Sequence, residues 1–213
     1  MTTRRTGLRE QKKQATEKAL REAALRLALE RGPDNVRVDD IAEAAGVSPR
    51  TYNNYFSSRE QAIVAAITAE RHTRVAAAVA ARPEEVGLAE AITDSIVEQY
   101  TGTGTGHDAM AMITTSPALR EAFLHAATAI EDPLAAAIAH RLGDTGPATA
   151  GVLAAAVTAA IRTTMRRWLQ PAPTAGGLVI PTGSLPDLLR TALEVLAPAL
   201  DAAEEQHRPD TRS

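Results

Sequence analysis

Arg50, Thr51, Asn53, Asn54 and Tyr55 place five hydrogen-bonding side chains within six consecutive positions. Their chemistry is recognition. A guanidinium can fork onto the two acceptors of a guanine edge, a carboxamide matches the donor and acceptor of adenine, and Thr and Tyr hydroxyls reach phosphate oxygens. Ser48 and Pro49 precede this cluster, and Arg37 and Arg59 flank it with further positive charge. Arg59 stands at the start of a helix, where backbone N–H groups and a guanidinium together suit an anion. Tyr52 and Phe56, spaced i, i+4 inside the same run, can hold the element from behind.

Such side chains read a duplex only if a helix presents them. The residues before the cluster supply one. In Val38–Ala45, Ile41, Ala42 and Ala45 fall on one face of a short helix, with Asp39 and Asp40 at its positive end. Gly46 offers a turn that needs positive φ, and Val47 plugs the angle. Ser48 is an N-cap and Pro49 a first helical residue, so a second helix runs from about Pro49 to Phe56. Two short helices joined by a glycine turn, with a small alanine at the crossing, hold the second out for a major groove. A plain helical hairpin with a solvated outer face would need none of these features together.

Residues from about Leu20 to Ile63 resemble the DNA-binding domain of TetR-family transcriptional regulators. The similarity rests on Leu27-Ala28-Leu29-Glu30-Arg31-Gly32, on Ile41-Ala42-Glu43-Ala44-Ala45-Gly46-Val47-Ser48, on Thr51-Tyr52-Asn53-Asn54-Tyr55-Phe56 and on Ser58-Arg59-Glu60. This chain has Asn53 where many members carry a phosphate-contacting tyrosine, and Ala28 where many carry a large aromatic. The resemblance implies a homodimer on a palindromic double-stranded operator and a second domain for a small effector. It also implies a fourth helix linking the two.

The chain has 213 residues, net charge −3, no cysteine and few aromatic residues. Strand-like alternation is nearly absent, so the class is all-α: a three-helix DNA-binding domain plus a larger helical domain. Without cysteine, disulfides and thiolate metal sites are excluded. Charge is asymmetric. Residues 1–21 hold Arg4, Arg5, Arg9, Lys12, Lys13, Lys18 and Arg21 against Glu10 and Glu17, and the remainder is acidic. That is the pattern of a protein meeting phosphates with one end. The polar, basic start shows no apolar signal core, and the longest apolar stretch, 151–161, is short for a bilayer; a cytoplasmic protein without membrane contact is expected.

The expected order is a disordered basic arm (1–8), the DNA-binding domain (9–57), a connecting helix (58–83), a ligand-binding and dimerisation domain (84–206) and a disordered tail (207–213). Helices are expected at about 87–100, 107–114, 117–142, 147–169 and 185–206. Residues 101–106, TGTGTG, lack the preceding strand and following lysine of a phosphate loop and read as a linker. Residues 170–184 form a long Pro- and Gly-rich loop. The last two long helices carry more apolar positions than one face needs, which suggests a four-helix dimer interface.

No catalytic motif, metal-ligand spacing or cofactor fingerprint appears; His72, His107, His125, His140 and His207 form no i, i+4 pair. Met110, Met112, Ile113, Phe123, Leu124, Ile130 and Trp168 are candidates for an adaptable apolar pocket, with Arg162, Arg166 and Arg167 beside the tryptophan for an anionic head group. Pro117–Phe123 and Arg166–Leu169 are weakly similar to a branch of the family associated with acyl-CoA-like ligands. The reading is a repressor released by an apolar or amphipathic effector. Its alternatives are an activator, or a helical ligand-binding protein or enzyme that has lost DNA binding.

Overall fold

The computed structural model describes residues 2–101, 106–143, 147–170 and 183–207, and they contain helices and no strand. Gly102–Thr105, most of the Pro/Gly loop and residues 208–213 lie outside the described residues, as do the side chains of Arg4, Arg5 and His107.

Helix α1 spans Thr2–Arg31, beginning within the stretch expected as an arm. It stops where Gly32 takes φ 79° and its N–H closes on Ala28 O at 2.9 Å. A 3-10 turn, Pro33–Asn35, leads to α2 (Val38–Ala44). Helix α3 is Pro49–Tyr52, and α4 is Arg59–Ala81. After these come α5 (Leu88–Thr101), α6 (Gly106–Thr115), α7 (Pro117–Ala126), α8 (Glu131–Arg141), α9 (Pro147–Trp168), α10 (Leu185–Glu194) and α11 (Ala197–His207).

Two expected long helices are broken, both by proline. The 117–142 segment passes through a 3-10 stretch, Ala127–Ile130, before α8. Pro133 lacks an N–H and its ring clashes with the carbonyl four residues earlier, so a regular helix cannot cross. Pro198 interrupts 185–206 in the same way, leaving turn residues Val195 and Leu196 between α10 and α11.

The chain divides into two compact units, 1–69 with 105–126, and 70–104 with 127–213, the division falling within α4. Residues 105–126 therefore group with the N-terminal third rather than with the effector domain anticipated from sequence. In the first unit α1 packs on α2 and α2 on α3, around Leu20, Ala24, Leu27, Ile41, Ala42 and Tyr52, all buried. In the second, α9 packs on α8 and α10, while α5 packs on α10 and α11. Ile92, Ile96, Leu134, Ile138, Val157 and Leu189 fill this core. Arg141 ties it together: Nη1 donates to Arg82 O at 3.1 Å, Nη2 donates to Val86 O at 2.6 Å and pairs with Glu204 Oε1 at 3.4 Å. The other Glu204 oxygen accepts from Leu88 N–H at 3.0 Å.

Helix α9 is long and apolar enough to span a bilayer by length and composition alone, although the 151–161 run by itself fell short. Only 33% of its most apolar window is buried within this chain, and Val152 is 69% exposed.

Candidate functional site

The turn between α2 and α3 is built from local bonds. Gly46 has φ 70°, and Val47 N–H donates to Ala42 O at 2.9 Å. Ser48 caps α3: its Oγ accepts from Thr51 N–H at 3.1 Å and lies 2.9 Å from Thr51 Oγ1. Only Pro49–Tyr52 is regular α-helix. The turn then tightens, with Asn54 N–H on Thr51 O at 3.1 Å and Tyr55 N–H on Tyr52 O at 2.8 Å. The reading element is thus one α-turn continued by a 3-10-like turn, shorter than the Pro49–Phe56 helix expected.

Tyr52 and Phe56 anchor it. Both are buried, with ring centroids 5.8 Å apart, and Tyr52 Oη donates to Ser58 O at 2.7 Å. Burial, and secondarily the Glu60 charge, push the Tyr52 phenol up to about 12. It is a structural donor at any ordinary pH. With the back of the element fixed, Ser48, Pro49, Arg50, Asn53 and Asn54 are exposed together, and Thr51 and Tyr55 are half-buried beside them. Arg37 is exposed at the start of α2, where its backbone N–H donates to Asp40 Oδ2 at 3.0 Å.

Arg59 is placed differently from these. Its Nε donates to Glu60 Oε1 at 2.7 Å, and its Nη1 donates to both Asp34 O and Val36 O at 2.9 Å. Nη2 lies 3.5 Å from Asp34 Oδ1. Every nitrogen of the guanidinium is engaged inside the unit, clamping the turn after α1 to the start of α4. Burial alone pushes the Glu60 carboxyl up. Hydrogen bonds from Arg59, its own backbone and Ser58, together with the Arg59 charge, overturn that and hold it below its usual value.

The apolar candidates fall in both units. Met110, Met112, Ile113, Phe123 and Leu124 belong to α6 and α7 of the first, where Ile113 and Phe123 are buried and the other three half-buried. Trp168, at the end of α9 in the second, donates from Nε1 to Gly183 O at 3.3 Å, while Arg162, Arg166 and Arg167 are exposed.

Within the second unit, a void of about 260 Å³, partly open to solvent, is lined by Arg71, His72 and Tyr100 and by aliphatic groups that include Val75, Ile96 and Ile130. Of the pocket candidates, Ile130 alone lines it. The Arg71 guanidinium carbon lies 4.5 Å from the Tyr100 ring centroid. Its Nε and Nη1 are shielded from solvent and meet no acceptor. Burial first, then the Arg71 charge, pull the His72 imidazole down to about 4. Burial raises the Tyr100 phenol against the opposing pull of Arg71. Sequence reasoning missed Arg71, His72 and Tyr100. The signal was there: Thr68, Val75 and Val79 of α4 are buried, and positions 71 and 72 continue that stripe at helical spacing. Among the described residues, no group of three His, Asp or Glu side chains is placed to hold a metal.

Comparison with known proteins agrees with this layout. Residues 20–66 match bacterial regulatory proteins of the tetR family, and residues 86–201 match the MftR C-terminal domain. The HTH-type transcriptional regulator TcmR of Streptomyces glaucescens is 40% identical over 63 residues, which are 30% of this chain and 28% of that protein's length. A solved structure of the fatty acid degradation regulator FadR from Bacillus halodurans aligns over 87% of this chain and 96% of its own, at 14% identity and TM-score 0.44.

Proposed function

The chain belongs to the tetR family of helix-turn-helix DNA-binding transcription regulators, and from that premise we propose that it is a cytoplasmic repressor. It binds a palindromic operator as a homodimer and is released by a small amphipathic effector. One observation carries the DNA reading: Arg50, Asn53 and Asn54 are exposed side by side on an element that buried Tyr52 fixes from behind. Arg50 and Asn54 read base edges, and Ser48, Thr51 and Tyr55 meet phosphates. Arg59, fully engaged within its unit, positions the start of α4 and the turn before α2.

The dimer reading rests on the apolar surface that α9 and α10 leave over. Val152 on α9 and Val195, just beyond α10, are 69% and 77% exposed. Most other apolar residues of these helices face their own core: Leu193, for example, is 1% exposed, so a charge there would disturb folding before assembly. Val152→Glu is the sharper variant, and sedimentation at micromolar concentration should show it shifted toward monomer.

Effector control needs only a differential affinity. A hundredfold loss of operator affinity corresponds to about 2.7 kcal/mol of ligand preference for the dimer whose reading elements are wrongly spaced. Helix α4 is shared by both units, so ligand binding at its C-terminal half acts on the element that the DNA-binding residues precede. Acyl-CoA-like compounds are the first class to titrate.

A gel shift with the DNA upstream of the chain's own gene, at two salt concentrations, tests the reading. Arg50→Ala and Asn54→Ala should each weaken specific binding by about 1–3 kcal/mol with helical content unchanged. Tyr55→Phe should weaken specific and non-specific DNA alike. Parent-like operator binding in both alanine variants would remove the reading element from its assigned role.

A further inference from the structure

The cavity beside α4 contains a cation without a counter-ion. Arg71 Nε and Nη1 are out of reach of water and of any protein acceptor. Leaving such donors unmet is costly, the more so when they carry charge. The surroundings do not relieve it. One guanidinium face lies on the Tyr100 ring, a favourable contact that supplies no acceptor oxygen. Tyr100 Oη has only Met165 Sδ, at 4.0 Å, as its own distant partner. The rest of the lining is aliphatic: Val75, Ile96, Ile130 and Ile161.

We propose that this cavity binds the free carboxylate of an effector with an aliphatic body, the acid group meeting Arg71 and the chain lying on the aliphatic wall. The proposal deepens the effector reading above and rests on it for regulation alone. Carboxylate is favoured over phosphate by charge: the lining holds one permanent cation beside a neutral imidazole, which balances one negative charge and not two. An acyl-CoA, whose acyl end is a thioester without charge and whose phosphates are several, fits this lining less well than the free acid. His72, neutral at pH 7, and the Tyr100 hydroxyl can add hydrogen bonds to the same oxyanion.

The test uses the full purified chain. Its thermal midpoint is followed with straight-chain carboxylates from butanoate to decanoate, with the alcohols of equal length and with inorganic phosphate. The expected result is a midpoint rise of several degrees with at least one carboxylate, little or none with the alcohols or phosphate, and loss of the rise in Arg71→Met. Calorimetric titration of the best carboxylate should show at least a tenfold weaker Kd in Arg71→Met. A second variant, Arg71→Lys, should retain part of the affinity, which separates lost charge from lost shape. Equal shifts by acid and alcohol, an undiminished shift in Arg71→Met, or no response to any carboxylate would overturn the site. Operator release is measured separately. A carboxylate that binds through Arg71 while DNA stays bound supports the site and overturns the effector-release reading instead.

Discussion

Arg59 and Arg71 stand on the same helix, twelve residues apart, and the surroundings of the two differ in kind. Around Arg59 each guanidinium nitrogen has a partner, two backbone carbonyls and two carboxylates closing the turn that leads to the reading element. Arg141 is treated similarly in the second unit, with two carbonyls and Glu204, only its Nε being left bare. Around Arg71 the protein offers an aromatic face and hydrocarbon. A charged side chain that the fold completes is part of the scaffold. One that the fold leaves incomplete costs stability, and that cost is offset when a ligand supplies what is missing.

The contrast makes opposite predictions for similar substitutions. The largest effect should come from Arg141→Ala, which removes a nearly buried ion pair and two carbonyl partners and should lower unfolding stability by about 3 kcal/mol, as read by urea denaturation. Arg59→Ala should cost about 2 kcal/mol, with hydrogen exchange accelerating over residues 33–60 first. Arg71→Met should go the other way and raise stability by about 1 kcal/mol without ligand, because it replaces an uncompensated cation by a chain of similar length. The contrast breaks if Arg71→Met destabilises as much as Arg59→Ala.

The smallest effect concerns pH. The unfolded imidazole of His72 takes up its proton near 6.5, the folded one only near 4. Between those values the unfolded chain binds the extra proton, so His72 lowers stability as pH falls through the interval and not above it. His72→Gln should flatten the thermal-midpoint profile between pH 6.5 and 4 and leave it unchanged near pH 8.

The reading element was legible because its determinants are local. Gly46 at positive φ, the Ser48 cap and Pro49 all lie within four residues of one another, and the helix-turn-helix follows from them. The breaks near Ala127–Ile130 and Val195–Leu196 were less visible, since the apolar pattern runs on through them and only the rings of Pro133 and Pro198 interrupt the backbone. The roles of Arg59 and Arg71 could not be assigned from sequence. Arg59 is completed by carbonyls 23 and 25 residues away. Arg71 is defined by α5, the 3-10 stretch before α8, and α9, brought together only by folding. Grouping pocket residues by softness favoured Met110, Phe123 and Trp168. A charged pair within a buried stripe was the stronger sign, because hydrocarbon there is ordinary and charge is not.

The identity of the cation in the cavity decides what kind of signal the second unit can receive. A lysine in those surroundings could shed its proton and rest neutral, closing the cavity on itself with nothing bound. Arginine has no such exit, because its guanidinium keeps its charge throughout the range of living cells. The vacancy beside Arg71 therefore persists until an outside acceptor fills it, and the unit waits for a molecule rather than for a change in acidity.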